Sequence, residues 1–171
     1  MRMKTKFLAL LVATVFSATA NALPEDREKP IHVSADSASI DEKSGRTIYL
    51  GDVKITQGTL LIEAERVELE RGEKGVERVT AFGKQAHFRQ KPDTDKPYTD
   101  AWGDTIIYKV EKEHLTLQKN AKVISDKDTF TGSRILYNLK TSVVDAYSDG
   151  KDGSSGRVEM IIQPKKDKDA Q

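Results

Sequence analysis

The sequence has no cysteine among its 171 residues. A disulfide framework, a thiolate zinc site and a cysteine nucleophile are therefore excluded. An excess of charge of one sign is lacking as well, because 28 Lys and Arg residues are balanced by 27 Asp and Glu residues. Without a basic face, no nucleic-acid partner is expected. The length is that of one domain or of two small ones.

Motifs of catalysis and of metal binding are also lacking. The three histidines, His32, His87 and His114, lie far apart, and no H-x-x-x-H or HEXXH spacing occurs. No G-x-S-x-G elbow, Walker loop or dinucleotide-binding glycine pattern is present. We therefore predict a protein that is not an enzyme, with no metal site and no cofactor, whose histidines are solvent-facing or at a rim.

One apolar run lies near the start, and it is short. Residues 7–16 are apolar except for Thr14, and three basic residues precede them within residues 2–6. Because about 20 apolar residues are needed to span a bilayer, the run predicts the core of a cleavable secretory signal peptide. Two A-x-A patterns place the cleavage after Ala20 or Ala22, and Ala22 is preferred because a polar mature chain then follows.

Cleavage after Ala22 leaves 149 residues, with 25 basic and 27 acidic side chains and a formal charge of −2. Such a chain suits the periplasm of a Gram-negative cell, with secretion to the outside as the alternative. The predicted division is a signal peptide (1–22), an N-terminal extension (23–30), one β domain (31–163) and a flexible charged tail (164–171).

Proline is scarce and unevenly placed. Its five positions are 24, 30, 92, 97 and 164, so residues 31–91 and 98–163 are free of it. Proline lacks the N–H that a strand ladder requires, and proline-free blocks are where a sheet can be continuous. Apolar residues alternate with polar ones in these blocks, with the period of a β-strand. Short strands between polar turns predict an all-β fold, with turns at 42–45, 56–59, 71–75, 91–97, 126–128 and 149–156.

An internal repeat accompanies the strands. Four segments with one pattern begin at Val33, Ile62, Ala101 and Phe130, at spacings of 29, 39 and 29 residues. In each segment the next apolar residue follows a small one by three positions, where a regular strand would place it two or four positions later. This phase change predicts a β-bulge or sharp bend in each of the four strands. The small residues are Ala35, Ala64, Gly103 and Gly132.

Two features of the pattern have more than one interpretation. Residues 63–70 are rich in Glu and Arg, which suits a helix by propensity, but their place in the repeat predicts a strand. The apolar stripe is long but thin, and many inward positions hold small residues. It fits a slightly parted sandwich whose interior is open to a ligand, and it fits an ordinary packed sandwich equally well.

Four short motifs carry a resemblance to a known family: Pro30–Asp36, Gly51–Gly58, Gly83–Phe88 and Ala146–Asp149. In order and spacing they resemble the LptA family, the periplasmic bridge proteins of lipopolysaccharide export, from about Pro30 to Ile162. The resemblance implies a twisted, slightly open antiparallel β-jellyroll that binds the lipid A part of lipopolysaccharide in its interior. It also implies head-to-tail self-association that links an inner-membrane LptC-like protein to the N-terminal domain of an outer-membrane LptD-like protein. Both partners share the fold, and the cleavable signal and the length favour the bridge protein.

Inward-facing positions are the candidate lipid contacts, with plain core packing as the alternative for each. Four of them, Ile31, Val33, Phe88 and Tyr108, match positions regarded as lipid-facing in the family, and the others rest on the assignment of strand faces. The candidates are Ile31, Val33, Ile55, Ile62, Phe88, Tyr108, Leu117, Val123, Phe130 and Tyr137.

Unpaired edge strands are the candidate assembly interfaces, because an open sheet edge can accept a further strand. The N-terminal edge is predicted within residues 31–40, and the C-terminal edge within residues 143–147 and 157–162. The candidate residues are Ile31, Val33, Ile40, Val144, Ala146, Val158, Met160 and Ile162. Two other functions stay open: a periplasmic binding module for another lipid or a polysaccharide, and a purely structural assembly protein. The single Trp102 makes a polysaccharide platform the weaker of the two ligand classes.

Overall fold

The computed structural model describes residues 25–149 and 157–164. The predicted signal peptide (1–22), most of the predicted turn at 149–156 and the tail from 165 onward lie outside these ranges. The predicted turns at 42–45, 56–59, 71–75, 91–97 and 126–128 all fall between or at the ends of strands, as expected. Within the described ranges the chain is one short helix followed by ten strands.

All ten strands are antiparallel and belong to one sheet, with the order β1-β3-β4-β5-β6-β7-β8-β10. β1 and β2 both pair with β3, at different parts of that strand, and β9 and β10 both pair with β8. The prediction of an all-β fold is confirmed, and residues 63–70 are strand rather than helix. The elements are α1 (Glu25–Glu28), β1 (His32–Ser34), β2 (Ser37–Asp41), β3 (Arg46–Gln57), β4 (Leu60–Gly72), β5 (Gly75–Gln90), β6 (Thr99–Lys109), β7 (His114–Ser125), β8 (Asp128–Asn138), β9 (Val143–Tyr147) and β10 (Glu159–Ile161).

The four predicted bends are present. The register of β4 breaks between Glu63 and Arg66, on either side of Ala64, and that of β6 breaks between Trp102 and Thr105, around Gly103. In β8 the pairing passes from Gly132 to Arg134 with one residue skipped. Ala35 lies in the gap that separates β1 from β2.

The strands between them break as well, at the same level of the sheet. Register shifts occur in β3 between Leu50 and Val53, in β5 between Phe82 and Ala86 and in β7 between Gln118 and Ala121. These bends use a left-handed backbone, for example at Gly51 (φ 81°) and Asn120 (φ 52°). A break at every strand lets the whole sheet fold over on itself along one line.

The fold line divides the sheet into two layers that face each other. Inward residues of both layers belong to one apolar cluster of twenty buried side chains within the described ranges. Layer one consists of residues 32–34, 53–57, 60–63, 86–90, 99–102, 121–125, 128–132 and 159–161, and layer two of residues 37–41, 46–50, 66–72, 75–82, 105–109, 114–118, 134–138 and 143–147.

The cluster holds the layers together by burial of apolar surface. Alternate residues of each half-strand point inward, so that Val53 and Ile55 in layer one meet the interior together with Val67 and Leu69 in layer two. Each fully buried Val, Leu, Ile or Phe contributes about 1.5–3 kcal/mol relative to an exposed one. The result is the twisted, slightly open antiparallel jellyroll that was expected, since the two layers join along the fold line and part at their other ends.

Candidate functional site

The free ends of the two layers form a long mouth opposite the fold line. Its first lip is made of turns at the ends of layer-one strands, at residues 58–59, 91–98 and 126–127. Its second lip is made of turns at the ends of layer-two strands, at residues 42–45, 73–74, 110–113 and 139–142. Side chains of both lips line one shared cavity, and a second cavity is lined by the second lip and by residues at the strand ends beside the first lip, so the mouth is the route from solvent to the interior.

One cavity, of about 290 Å³, lies under the mouth between β3, β4, β5 and β6. Its lining contains Ile31, Ile55, Ile62 and Tyr108, four of the predicted lipid contacts, together with apolar side chains of layer two. Its rim is polar and carries both signs of charge. The complete lining is Asp26, Arg27, Ile31, Ile55, Gln57, Leu60, Ile62, Leu69, Lys74, Val76, Glu77, Val79, Gln90, Tyr108, Val110 and Glu111.

A second cavity, of about 300 Å³, lies at the other end of the mouth, against β7, β8 and β9. Phe130 and Tyr137 line it, which places two further predicted contacts at an accessible position. Val144, predicted for the C-terminal edge, also borders it. Pro92, Pro97 and Lys96 from the first lip close its outer side.

Three other predicted contacts are packed inside, away from either cavity. Phe88, Leu117 and Val123 are fully buried, in strands at the middle of the sheet order. The Phe88 ring lies 5.1 Å from the Tyr108 ring, centroid to centroid, at a tilt of 59°. Val33 is half-buried against the same cluster. Every predicted contact except Ile31, which is exposed at the rim, therefore faces inward, and the centre of the sandwich is filled while its two ends are not.

The phenol of Tyr108 is the one interior group within the described ranges with a strongly shifted pKa. Burial raises the pKa of Tyr108 to about 12, because the anionic form loses hydration in the apolar interior. The neutral hydroxyl donates a long hydrogen bond, of 3.4 Å, to Oε1 of Gln90 at the rim. The interior therefore offers apolar surface and a few hydroxyl groups, among them those of Tyr108 and Tyr137, which suits an apolar ligand better than a charged one.

The N-terminal helix lies across the mouth over the first cavity. The Asp26 carboxylate is buried, accepts a hydrogen bond from the Thr59 hydroxyl on the first lip, and fits against Gly58, where a Cβ would overlap it. On the second lip, the Arg27 guanidinium donates to the Val110 carbonyl at 2.8 Å and to Glu113 Oε1 at 2.6 Å. α1 thus touches both lips, an arrangement that the polar run of residues 25–28 gave no sign of.

The polar outer surface of layer one has a cluster that could be mistaken for a reactive site. His87 contacts Asp100 at 2.8 Å and Glu63 at 3.5 Å, and its ring stacks on Trp102 at 4.9 Å. Within the described ranges, no group of His, Asp and Glu side chains could hold a metal ion. The cluster is a cross-strand ladder, since Glu63, His87 and Trp102 are paired neighbours on β4, β5 and β6.

The predicted edge segments lie at the two ends of the sheet, as expected. Ile40 on β2 is exposed by 59%, and Met160 on β10 by 52%. Ile31, Val158 and Ile162 are also exposed, while Val33, Val144 and Ala146 are half-buried and pack against the core cluster. Within residues 25–149 and 157–164, the edges therefore combine backbone that is unpaired on its outer side with exposed apolar side chains.

α1, at four residues, falls far short of the length that crosses a bilayer, and residues 25–149 and 157–164 contain no other helix.

Comparison with known proteins finds one matching family and several similar sequences. The family described as "LptA/(LptD N-terminal domain) LPS transport protein" matches residues 32–143. Lipopolysaccharide export system protein LptH of Pseudomonas aeruginosa is 43% identical over 160 residues, covering 91% of each chain. Lipopolysaccharide export system protein LptA of Escherichia coli is 31% identical over 176 residues, covering 98% of this chain and 95% of that one.

A solved structure agrees with the sequence relatives. The crystal structure of Pseudomonas aeruginosa LptH, described as the LptA-homologous periplasmic component of a conserved lipopolysaccharide transport device, is similar with a TM-score of 0.73. The two sequences are 41% identical, and the match covers 82% of this chain and all of that one.

Proposed function

Because this chain belongs to the LptA/(LptD N-terminal domain) family of lipopolysaccharide transport proteins, we propose that it is a periplasmic bridge protein of lipopolysaccharide export. It binds the lipid A part of lipopolysaccharide between its two layers and passes it along a row of head-to-tail copies. The observation that carries this proposal is the apolar interior with a mouth, in which two cavities of about 300 Å³ open between the lips.

The physical need for such an interior follows from the hydrophobic effect. Burial of a methylene contributes about 0.8 kcal/mol, so an acyl chain of about a dozen methylenes costs about 10 kcal/mol to expose to water. A lipid with several chains therefore does not cross an aqueous space as a free monomer at a useful rate. A continuous apolar groove removes most of that cost.

The contacts that we propose for the acyl chains are the inward-facing candidates. Ile55, Ile62 and Tyr108 line the first cavity and Phe130 and Tyr137 the second. Phe88, Leu117 and Val123 fill the space at the centre, so the two layers must part there for one lipid to pass from end to end. Ile31 and Val33 belong to the N-terminal entrance.

The partners that we propose use the edges. β1 and β2 form the edge that faces an inner-membrane LptC-like protein or the preceding copy. β9 and β10 form the edge that faces the next copy or an outer-membrane LptD-like protein. The support is the exposure of Ile40 and Met160 on edge strands that pair on one side only within the described residues, which is the geometry required for strand addition. Such a contact joins unlike surfaces, so it builds open rows rather than closed dimers.

We also propose how the chain is processed and that it carries out no reaction. The signal peptide (1–22) directs the chain to the periplasm and is removed, residues 23–30 precede the β domain at 31–163, and 164–171 form the tail. We propose no catalytic step. Among the described residues, the ionisable side chains that line the two cavities inside the rim are the phenols of Tyr108 and Tyr137.

A photo-crosslinking scan in cells tests the binding proposal. A photoreactive amino acid at Phe88, Tyr108 or Phe130 should crosslink to lipopolysaccharide. The matched controls are Arg89 and Lys109, each one residue further along the same strand and exposed on the outer face, and these should not crosslink. Absence of crosslinks from all three inward positions would overturn the groove.

A purely structural assembly protein is the second candidate function. It is favoured by the full burial of Phe88, Leu117 and Val123, since a core that is closed in solution needs no ligand. The same scan distinguishes the two, because a structural protein gives no lipid crosslink from any position yet still assembles through its edges.

A further inference from the structure

We propose that α1 is a displaceable strap that closes the mouth over the first cavity, and that it must leave this position before a lipid chain enters. This inference rests on the proposed function, since it concerns how that same interior is opened. It extends that function from a binding surface to a gated one.

α1 is anchored on both sides of the mouth. On one side the buried Asp26 carboxylate lies on the Gly58–Thr59 turn, and the Gln57 side-chain amide donates to the carbonyls of Arg27 and Lys29 at 3.1 and 3.0 Å. On the other side Arg27 reaches the turn that joins β6 to β7. Two anchors on opposite lips are what a strap requires, and a helix packed on one layer would not provide them.

α1 lies directly above the first cavity. Asp26 and Arg27 are themselves part of the lining of the first cavity, above Ile55, Ile62 and Tyr108. The cavity of about 290 Å³ has the volume of about ten water molecules at about 30 Å³ each, which leaves room for about one acyl chain. A lipid with several chains therefore needs the lips to part, and α1 connects the lips at this point.

The two anchors of α1 differ in strength. The Arg27–Glu113 pair is exposed on both sides, by 43% and 34% of the side chains, and ion pairs of this kind are weak and screened by salt. The Asp26 side chain is buried and lies so close to Gly58 that a Cβ at that position would overlap it. α1 therefore releases the second lip more easily than the first.

A reversible crosslink tests the strap on the chain that begins at Leu23. A Cβ on Gly58 would lie 3.0 Å from the Asp26 Cβ, a little below the usual separation in a disulfide of 3.5–4.5 Å. The double variant Asp26→Cys/Gly58→Cys should therefore close after a small shift. The natural sequence has no cysteine, so this disulfide is unambiguous, and the same protein after reduction is its own control.

Two probes should respond to the crosslink. N-phenyl-1-naphthylamine, a small apolar fluorophore, reports access to the cavity, and purified lipopolysaccharide reports uptake of the natural ligand. We expect the oxidised variant to take up both at least about tenfold more slowly than the reduced one. Equal rates in the two states, with unchanged circular dichroism, would overturn the strap.

Single substitutions at the weaker anchor provide the opposite test, free of any strain at Gly58. Arg27→Ala and Glu113→Ala remove the same ion pair and should each accelerate uptake, by roughly two- to fivefold, the effect expected from one exposed pair. Arg78→Ala removes a similarly exposed pair, with Glu70 at 3.2 Å, that touches neither α1 nor the lining of the first cavity, and it should leave the rate unchanged. No acceleration in either mouth variant would count against the proposal.

The two probes also separate the strap from the function on which it rests. If lipopolysaccharide is bound by no variant but the fluorophore still enters only when the disulfide is reduced, the strap stands and the lipid assignment fails. If lipopolysaccharide binds at one rate in every variant, the lipid assignment stands and the strap fails.

Discussion

The rings of Phe88 and Tyr108 meet at the centre of the sandwich, 5.1 Å apart and tilted by 59°. They belong to adjacent strands, β5 and β6, on the two different layers. This contact therefore joins the layers directly, between the two cavities, and it must separate if a lipid is to pass from one cavity to the other.

Truncation of Phe88 tests how strongly this contact holds the layers together. Phe88→Ala should lower the free energy of unfolding by about 3–5 kcal/mol, because it removes a fully buried ring and leaves a cavity. Urea unfolding followed by the fluorescence of Trp102, the only tryptophan, measures this. Phe88→Leu is the control that keeps most of the apolar volume, and a loss as large as that of Phe88→Ala would mean that burial is not the cause.

Tyr108 should make the stability of the fold sensitive to alkali. Its pKa rises from about 10 in the unfolded chain to about 12 in the fold, so the folded state holds the phenolic proton more tightly. Stability from this group is complete below pH 10 and is lost as pH rises through 12, because the unfolded state releases the proton first. A shift of about two units corresponds to about 3 kcal/mol over that interval.

Tyr108→Phe isolates this contribution from other groups that titrate at high pH. It removes one long hydrogen bond, to Gln90 at 3.4 Å, so the cost at neutral pH should be small. Between pH 10 and 12 the variant should lose about 3 kcal/mol less stability than the natural protein, measured by urea unfolding at each pH. Parallel declines in the two proteins would show that Tyr108 is not responsible.

The bend at Gly132 should be intolerant of a side chain. A Cβ there would lie 2.9 Å from the Tyr147 carbonyl oxygen on β9, and backbone cannot move aside as a flexible side chain can. Gly132→Ala should cost about 1–3 kcal/mol and should increase hydrogen exchange in β9. Gly103→Ala, where the nearest backbone atom would be 3.3 Å away, is the matched change at another bend and should be milder.

Charges at the two edges should prevent assembly. Ile40→Lys and Met160→Lys each put an ammonium group on an exposed apolar position of an edge strand, where lysine opposes strand addition. Each should shift the chain from oligomers to monomer at concentrations where the natural protein associates, as measured by light scattering after size exclusion. Tyr98→Lys, an exposed apolar position in the lip rather than at an edge, should leave association unchanged.

The sequence predicted the bends of alternate strands because small residues mark them. Ala64, Gly103 and Gly132 interrupt a period of two, and both the size and the spacing are visible in one dimension. Among the intervening strands, β3 and β5 have Gly51 and Gly83 at their bends, but the residues skipped in β7 are not small. Lys119 and Asn120 both adopt positive φ, and of these only asparagine is a residue type that favours it. The size of these two residues therefore does not predict the bend in β7.

Inward faces were predictable for a related reason, since a period of two assigns a face to each residue once the bends are known. The filled centre and the hollow ends were not predictable. Whether Phe88 meets Tyr108 depends on how two strands fold over at the bend, and this is a matter of three-dimensional packing. The position of α1 across the mouth was equally unpredictable from the sequence, because the residues that bind it, Thr59 and Glu113, are 33 and 86 residues away from their partners in α1.

The order of the strands also shapes how the molecule can fold. From β3 to β8 each strand pairs with the one that follows it in sequence, so the sheet can grow hairpin by hairpin and each step closes a short loop. Each step therefore costs only a little loop-closure entropy, and folding should be faster than is usual for an all-β chain of this size. During synthesis the N-terminal hairpins can form while β9 and β10 are still absent. The C-terminal edge is therefore completed last, so under the proposed head-to-tail assembly a half-made chain has no finished surface on which the next copy can add.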